Sequence, residues 1–426
     1  MLFSGIVRAQ QLSFSVTTTD IANFWSAYDK ITSTKDSAQQ YQYLNMLFIE
    51  KGTPGLKAMM AARSYTDKSY IDAINKHPLF WQSIRANTLK ANVYARDIAA
   101  KVMELRELYP KLQSAQIYFT MGALRSGGTT QGKMILIGSE LSLAGKNTIT
   151  SEFKAGEWNM PLLPDDELAK NVVFTNIHEY VHTQQKNTAT NNLFAQSVME
   201  GVAEFVAVKA TGMASTLPAL AYGRKNFEKV RQKFGEQLFN TGNGFWLYTN
   251  AKNEFGVRDL GYYAGYAICE KYYNKATNKK LAIKQMIELD YDNEAALAAY
   301  VDASGYFEVP VSVLKQRYEV SQPTVINLEP FKNNADNVSP ATKQFTITFS
   351  APMDKGFRNF ELGPLGMDNL LKLKKVVNIA EDGRSLTFEV ELIPDHRYQL
   401  VIGSGFRTAD GINLKPYLID FKTAAN

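Results

Sequence analysis

Four histidines occur in the 426 residues, and two of them share one stretch, FTNIHEYVHTQQK (residues 174–186), with a glutamate directly after the first. On a helix, residues four apart lie on one face, so His178 and His182 can hold a single ion together. Zinc accepts imidazole ligands and lowers the pKa of a bound water toward ~7. Glu179, one residue round the helix, can then take the proton, which is the physical logic of His-Glu-x-x-His as a hydrolytic site. The competing reading is an ordinary helix that carries two imidazoles.

A catalytic zinc needs a third protein ligand and an open position. Glu200, 18 positions after His182, stands in SVMEGVAEFVAV, a second helical stretch. Glu204 lies one turn further on the same face, placed to accept a hydrogen bond from the distal nitrogen of a ligating histidine, His178 first, and so to fix its tautomer. Both glutamates fit a solvated stripe as well, but their neighbours are apolar nearly all round, and a buried carboxylate without a partner is costly. A metal or an imidazole removes that cost. Gly201 permits close approach of the two helices.

With these residues in place, the chain resembles the gluzincin metallopeptidases, in which His-Glu-x-x-His is followed some twenty residues later by a glutamate ligand, often within Glu-Gly-x-Ala. It looks closest to a family of bacterial zinc-dependent proteases sharing the HEYVH…EGVAEF arrangement. The resemblance spans roughly residues 110–275 and implies His178, His182 and Glu200 as ligands, Glu179 as general base and Glu204 as the acidic residue behind a ligand. It also implies an edge strand for an extended peptide, best matched by TTQGKMILIGSEL with Gly127 and Gly128 in its approach. Finally it implies an oxyanion donor, for which GYYAGY offers Tyr263 and Tyr262, although aromatic packing explains either one equally well. Tyr180 reads as a packing residue, and His77 and His396 as surface residues outside the constellation.

The elements that position these residues can be read from periodicity. From Ile21 to about Tyr109, apolar residues recur at three- and four-residue steps, which predicts helices over 20–110. AQIYFTMGAL and GKMILIGSEL then read as short strands separated by RSGGTTQ. After Pro164 the acidic start of DDELAKNVVF opens the histidine helix, and a second helix is expected over Leu193 to Thr211. Beyond about residue 320 the pattern turns to short alternating runs with turns at Asp382-Gly383 and Asp410-Gly411. There FTITFSAPMDKG resembles the opening strand of a bacterial immunoglobulin-like domain. The expected fold is α+β: a mainly helical zincin-like domain over 11–320 with a small sheet, its catalytic core at about 110–275, followed by an all-β Ig-like sandwich over 325–426.

Bulk properties agree with a globular enzyme: 45% of residues are hydrophobic, 21% charged, and the formal charge is only +5. Interspersed charges of that size imply no nucleic-acid or anionic-membrane partner. One cysteine, Cys269, excludes both an intramolecular disulfide and a four-cysteine zinc site. No stretch approaches ~18 consecutive apolar residues, so no transmembrane span is expected. MLFSGIVRAQ (residues 1–10) reads as the remnant of a secretory signal, which with the β tail points to a secreted, periplasmic or cell-surface protein. The expected activity is zinc-dependent hydrolysis of a peptide or protein substrate. A catalytically silent zinc-containing binding or scaffolding protein is the alternative, and a zinc hydrolase of non-peptide amides a third reading. Oligomeric state is not expressed in the sequence.

Overall fold

A computed structural model describes residues 14–158, 160–186, 188–249 and 253–425; the signal-like stretch 1–10 lies outside the described residues. The chain opens with β1 (Ser15–Thr17) and continues through α1 (Thr19–Thr32), α2 (Ser37–Leu44), α3 (Pro54–Arg63), α4 (Asp67–Lys76), α5 (Pro78–Thr88) and α6 (Ala91–Leu108). Next come β2 (Gln116–Thr120), β3 (Gly128–Gln131), β4 (Met134–Gly138), α7 (Ser139–Ser142), α8 (Asp165–His182) and α9 (Leu193–Thr211). The helices α10 (Pro218–Lys225), α11 (Phe227–Gln237), α12 (Leu260–Lys275), α13 (Lys279–Ile287), α14 (Glu294–Ser304) and α15 (Val311–Ser321) complete the helical part. Strands follow: β5 (Val325–Glu329), β6 (Gln344–Phe349), β7 (Phe360–Glu361), β8 (Leu373–Ile379), β9 (Ser385–Val390), β10 (Arg397–Ile402) and β11 (Tyr417–Lys422). The fold is therefore α+β, with several small sheets. No described helix is long and apolar enough to cross a membrane.

Two compact units form, one from residues 1–187, 202–217 and 273–289, the other from 188–201, 218–272 and 290–426. In the first, the sheet order is β1-β2-β4-β3; β1, β2 and β4 are parallel, and β3 returns antiparallel on the edge. Paired residues share a face and successive residues alternate. Tyr118, Leu136 and Thr129 thus form one face, where Tyr118 covers Gly55 of α3 so closely that an added Cβ would stand 2.1 Å from its ring. Ile117, Ile135 and Thr130 form the other face, toward α8. Strand β4, apolar throughout, is the buried interior strand. The expectation that TTQ lies in a connector is corrected. Gly132 adopts φ 58°, which closes a two-residue turn and folds Gly128–Gln131 back as strand β3. An aromatic cluster of Phe24, Trp25, Phe48 and Trp81 fills the helical part of this unit.

At the end of β4, Glu140 is completely buried and accepts hydrogen bonds from the backbone N–H groups of Gly122 (2.7 Å) and Leu124 (3.3 Å). Burial pushes its carboxyl up to about 7, against the opposing pull of those two donors. Between the ordinary glutamate value and pH 7 the folded chain holds a proton that the unfolded chain has released, so this group's contribution declines as pH rises through that window. The loss amounts to roughly 3 kcal/mol at full ionisation. Glu140→Gln, which cannot ionise but sets an NH2 against one of those two N–H donors, is expected to fall somewhat below wild type in urea denaturation at pH 4.5. At pH 8 it should exceed wild type, and parallel curves at the two pH values would refute the assignment.

In the second unit, strands β5-β6-β9-β8 form one sheet and β11-β10-β7 another, and their inward residues, among them Phe345, Ile347, Phe388, Leu400, Ile419 and Phe421, share one core. Turns at Gly383 (φ 70°) and Gly411 (φ 88°) fall where the Asp-Gly pairs predict them. The second turn reaches α11 and the residues after it: Gln237 donates to the carbonyl of Asp410, and Asn240 donates to that of Gly411 at 2.8 Å.

Candidate metal centre

The acidic residues Asp165, Asp166 and Glu167 in the first turn of α8 suit the positive end of the helix. Further along, Tyr180 is fully buried; its hydroxyl donates to the carbonyl of Gln113 and accepts from the N–H of Ala115, both at 3.1 Å. These bonds fix the rotation of α8 about its axis and leave the histidine face pointing elsewhere. Tyr180 packs, as its sequence context suggests.

His178 is buried, and its Nδ1 lies 2.8 Å from Glu204 Oε2. His182 places Nδ1 2.7 Å from Gln185 Oε1. A carboxylate and an amide oxygen accept, so each Nδ1 carries its hydrogen, and in the neutral imidazoles the lone pair is then on Nε2. Those two Nε2 atoms stand 3.0 Å apart. A proton held between the two nitrogens or one cation bound by both accounts for that separation, and two nitrogens on one tetrahedral zinc are roughly 3.3 Å apart. One ligand atom from each of His178, His182 and Glu200 lies within 4.8 Å of the others. The donor set, two neutral imidazoles and one carboxylate, fits a zinc ion with room for a further ligand. Glu204 is 2% exposed, and its Oε1 has no hydrogen-bond partner, so the imidazole is what compensates its burial.

Glu179 is not one of these three donors. Its Oε2 accepts from the Thr130 hydroxyl of β3 at 2.5 Å, which ties the carboxylate to the exposed edge of the sheet. Lys133, at the β3–β4 turn, donates to the carbonyl of Thr183 just past α8 and braces the same contact.

Glu200 is 6% exposed and accepts from the Tyr248 hydroxyl at 2.5 Å. Tyr262 also hydrogen-bonds Glu200; burial first, and the Glu200 charge second, hold its phenol far above the ordinary value, so it remains a donor. Tyr263 turns the other way. Its ring covers Gly223 and its charged neighbours are Arg224 and Glu270; burial pushes its phenol up to about 12. Of the two tyrosines expected at the site, the structure brings Tyr262 to Glu200 and leaves Tyr263 in the packing. Gly201 is also reassigned: its close neighbour is Gly265 of α12 rather than the histidine helix, with an added Cβ only 2.1 Å from the Gly265 carbonyl carbon.

Three contributors escaped the sequence reading: Thr130, Gln185 and Tyr248. Gln185 sits three residues past His182, within the quoted stretch, and its type and spacing are a usable signal. Tyr248 has none, since it is a loop residue at φ 60°, a conformation unfavourable for an aromatic side chain, with its backbone N–H held by Asp259 Oδ1 at 2.9 Å. His77 and His396 remain outside the group. His77 is not a plain surface residue, however: it stacks on Phe153 at 4.5 Å with Nδ1 buried. Cys269 is buried in α12, and burial pushes its thiol up to about 12, which is unsuited to nucleophilic chemistry.

No protein-family model matches the chain, and no curated protein matches it. Among solved structures, an S-layer protein aligns with 96% of this chain at 13% identity and a TM-score of 0.19. The chain spans 45% of that protein's length.

Proposed function

We propose that the protein is a zinc metallopeptidase of the gluzincin type, with a zincin-like catalytic part and a C-terminal Ig-like sandwich, acting on peptide or protein substrates outside the cytoplasm. One observation carries this reading: the Nε2 lone pairs of His178 and His182 converge with the Glu200 carboxylate, while Glu179 is excluded from the ligand set and fastened to an edge strand. A purely structural metal has no use for a carboxylate so placed.

When bound, the ion supplies Lewis acidity, polarising a carbonyl and acidifying a water. His178, His182 and Glu200 would hold it, and Glu204 and Gln185 orient the two imidazoles. Among the described residues strand β3 is the edge of its sheet, where an extended peptide would add by backbone hydrogen bonding. The Glu179 carboxylate accepts a proton from the attacking water and passes it to the leaving amine nitrogen. Thr130 keeps that carboxylate in place. Tyr248 and Tyr262 both hold Glu200 by hydrogen bonds, and Tyr248, 51% exposed, is the phenol of the two that a substrate can meet as an oxyanion donor.

The test is metal analysis with a peptide-library digest read by mass spectrometry. Purified protein is expected to carry about one zinc per chain, to cleave the library, and to lose cleavage on chelation and regain it with zinc. A zinc-loaded protein inert toward a diverse library would favour the binding or scaffolding alternative instead.

A further inference from the structure

A recess of about 420 Å³ opens between α4 and the loop that joins β2 to β3. Its walls include Lys68, Lys76 and Arg125 but only one carboxylate, Asp72, which both lysines share at 2.8 and 3.4 Å. Counting those four charges leaves two positive charges uncompensated. Among the described residues Arg125 has no carboxylate partner: its Nη1 donates to the carbonyls of Arg63 (3.2 Å) and Ser64 (3.3 Å), and its guanidinium lies 5.7 Å from the Tyr65 ring centroid. The remaining guanidinium N–H groups are available in the fork geometry that matches a carboxylate.

The loop presenting Arg125 is built rather than slack. Leu124 sits at φ 66°, a strained conformation for a leucine. It is held there by the buried Glu140, which accepts from Gly122 and Leu124, while the Tyr65 hydroxyl accepts from the Arg125 N–H at 3.3 Å. Three residues after Arg125 the same loop becomes β3, whose Thr130 holds Glu179. Five residues of extended chain span at most roughly 17 Å. A peptide lying along β3 with its scissile bond beside Glu179 therefore meets the loop that carries Arg125 within about five residues of that bond, on one side of it.

We infer that Lys68, Lys76 and Arg125 form a subsite for an acidic side chain of the substrate, so that the peptides cleaved carry Asp or Glu at a fixed distance from the scissile bond. This rests on the peptidase reading above. The library digest is repeated with wild type and with Lys68→Ser/Arg125→Ser, both exposed positions outside the metal donor set. Wild-type cleavage sites are expected to be enriched in Asp or Glu at one position within about five residues of the scissile bond, on one side. In the variant that enrichment disappears, kcat/KM for an acidic peptide falls about tenfold, as it does for wild type in 0.5 M salt, and a neutral peptide is cleaved as before. Absence of enrichment in wild type, or its persistence in the variant, overturns the subsite. If wild type cleaves nothing, the peptidase reading fails on its own, and fluorescence anisotropy with the same labelled peptides decides the recess. Tighter binding of the acidic peptide, lost in the variant, upholds it; equal binding of acidic and neutral peptides overturns it.

Discussion

Replacing Glu179 by glutamine is expected to lower peptide hydrolysis about 10³-fold while leaving one zinc per chain. Glutamine has the same shape and keeps an oxygen for the Thr130 hydroxyl, now 2.5 Å from Glu179 Oε2, so the strand–helix contact survives. His178, His182, Glu200 and the two residues behind the imidazoles, Glu204 and Gln185, are unchanged, so the ion should be held as before. What disappears is the group that accepts and returns the proton. Metal content by mass spectrometry and single-turnover cleavage of a defined peptide separate the two effects. Near-wild-type cleavage by this variant would sink Glu179 as the base; loss of zinc together with activity would show instead that it supports the ligand set.

Much of this centre is legible in the chain because its logic is local. The four-residue step from His178 to His182 forces a common helical face, and the apolar surroundings of Glu204 require a buried partner, which the structure supplies as His178 at 2.8 Å. The histidine helix begins after Pro164 with an acidic first turn, and its companion spans Leu193–Thr211 on an apolar run, and both signals are written within their own segments. Illegible parts depend on distant pairing. Strand β3, Gly-Thr-Thr-Gln, has no apolar alternation, and only β4 and the turn at Gly132 make it a strand. Tyr248 reaches Glu200 across 48 positions from a strained loop, a contact no local pattern encodes. The direction in which Gly201 packs was equally hidden. A glycine announces that something comes close but does not say which helix it is.

The crossing of α9 and α12 at this glycine leaves no space for a side chain. Gly201 and Gly265 let α9 and α12 cross with their backbones in contact: a Cβ on Gly201 would lie 2.3 Å from Gly265 Cα and 2.4 Å from the Tyr266 nitrogen, and one on Gly265 would lie 1.9 Å from the Ser197 carbonyl oxygen. Nothing at that crossing can rotate aside, because the obstructing atoms are main chain. Helix propensity alone favours Gly201→Ala by about 1 kcal/mol, whereas forced separation of packed backbones costs about 3 kcal/mol. The two arguments predict opposite signs, and packing is expected to win. Urea denaturation should show Gly201→Ala less stable than wild type, and Gly201→Val less stable still. Because Glu200 directly precedes the displaced glycine, its carboxylate moves as well, and chelator competition should find zinc held at least about tenfold more weakly. An alanine variant as stable as wild type would mean that α9 and α12 do not meet at this glycine pair.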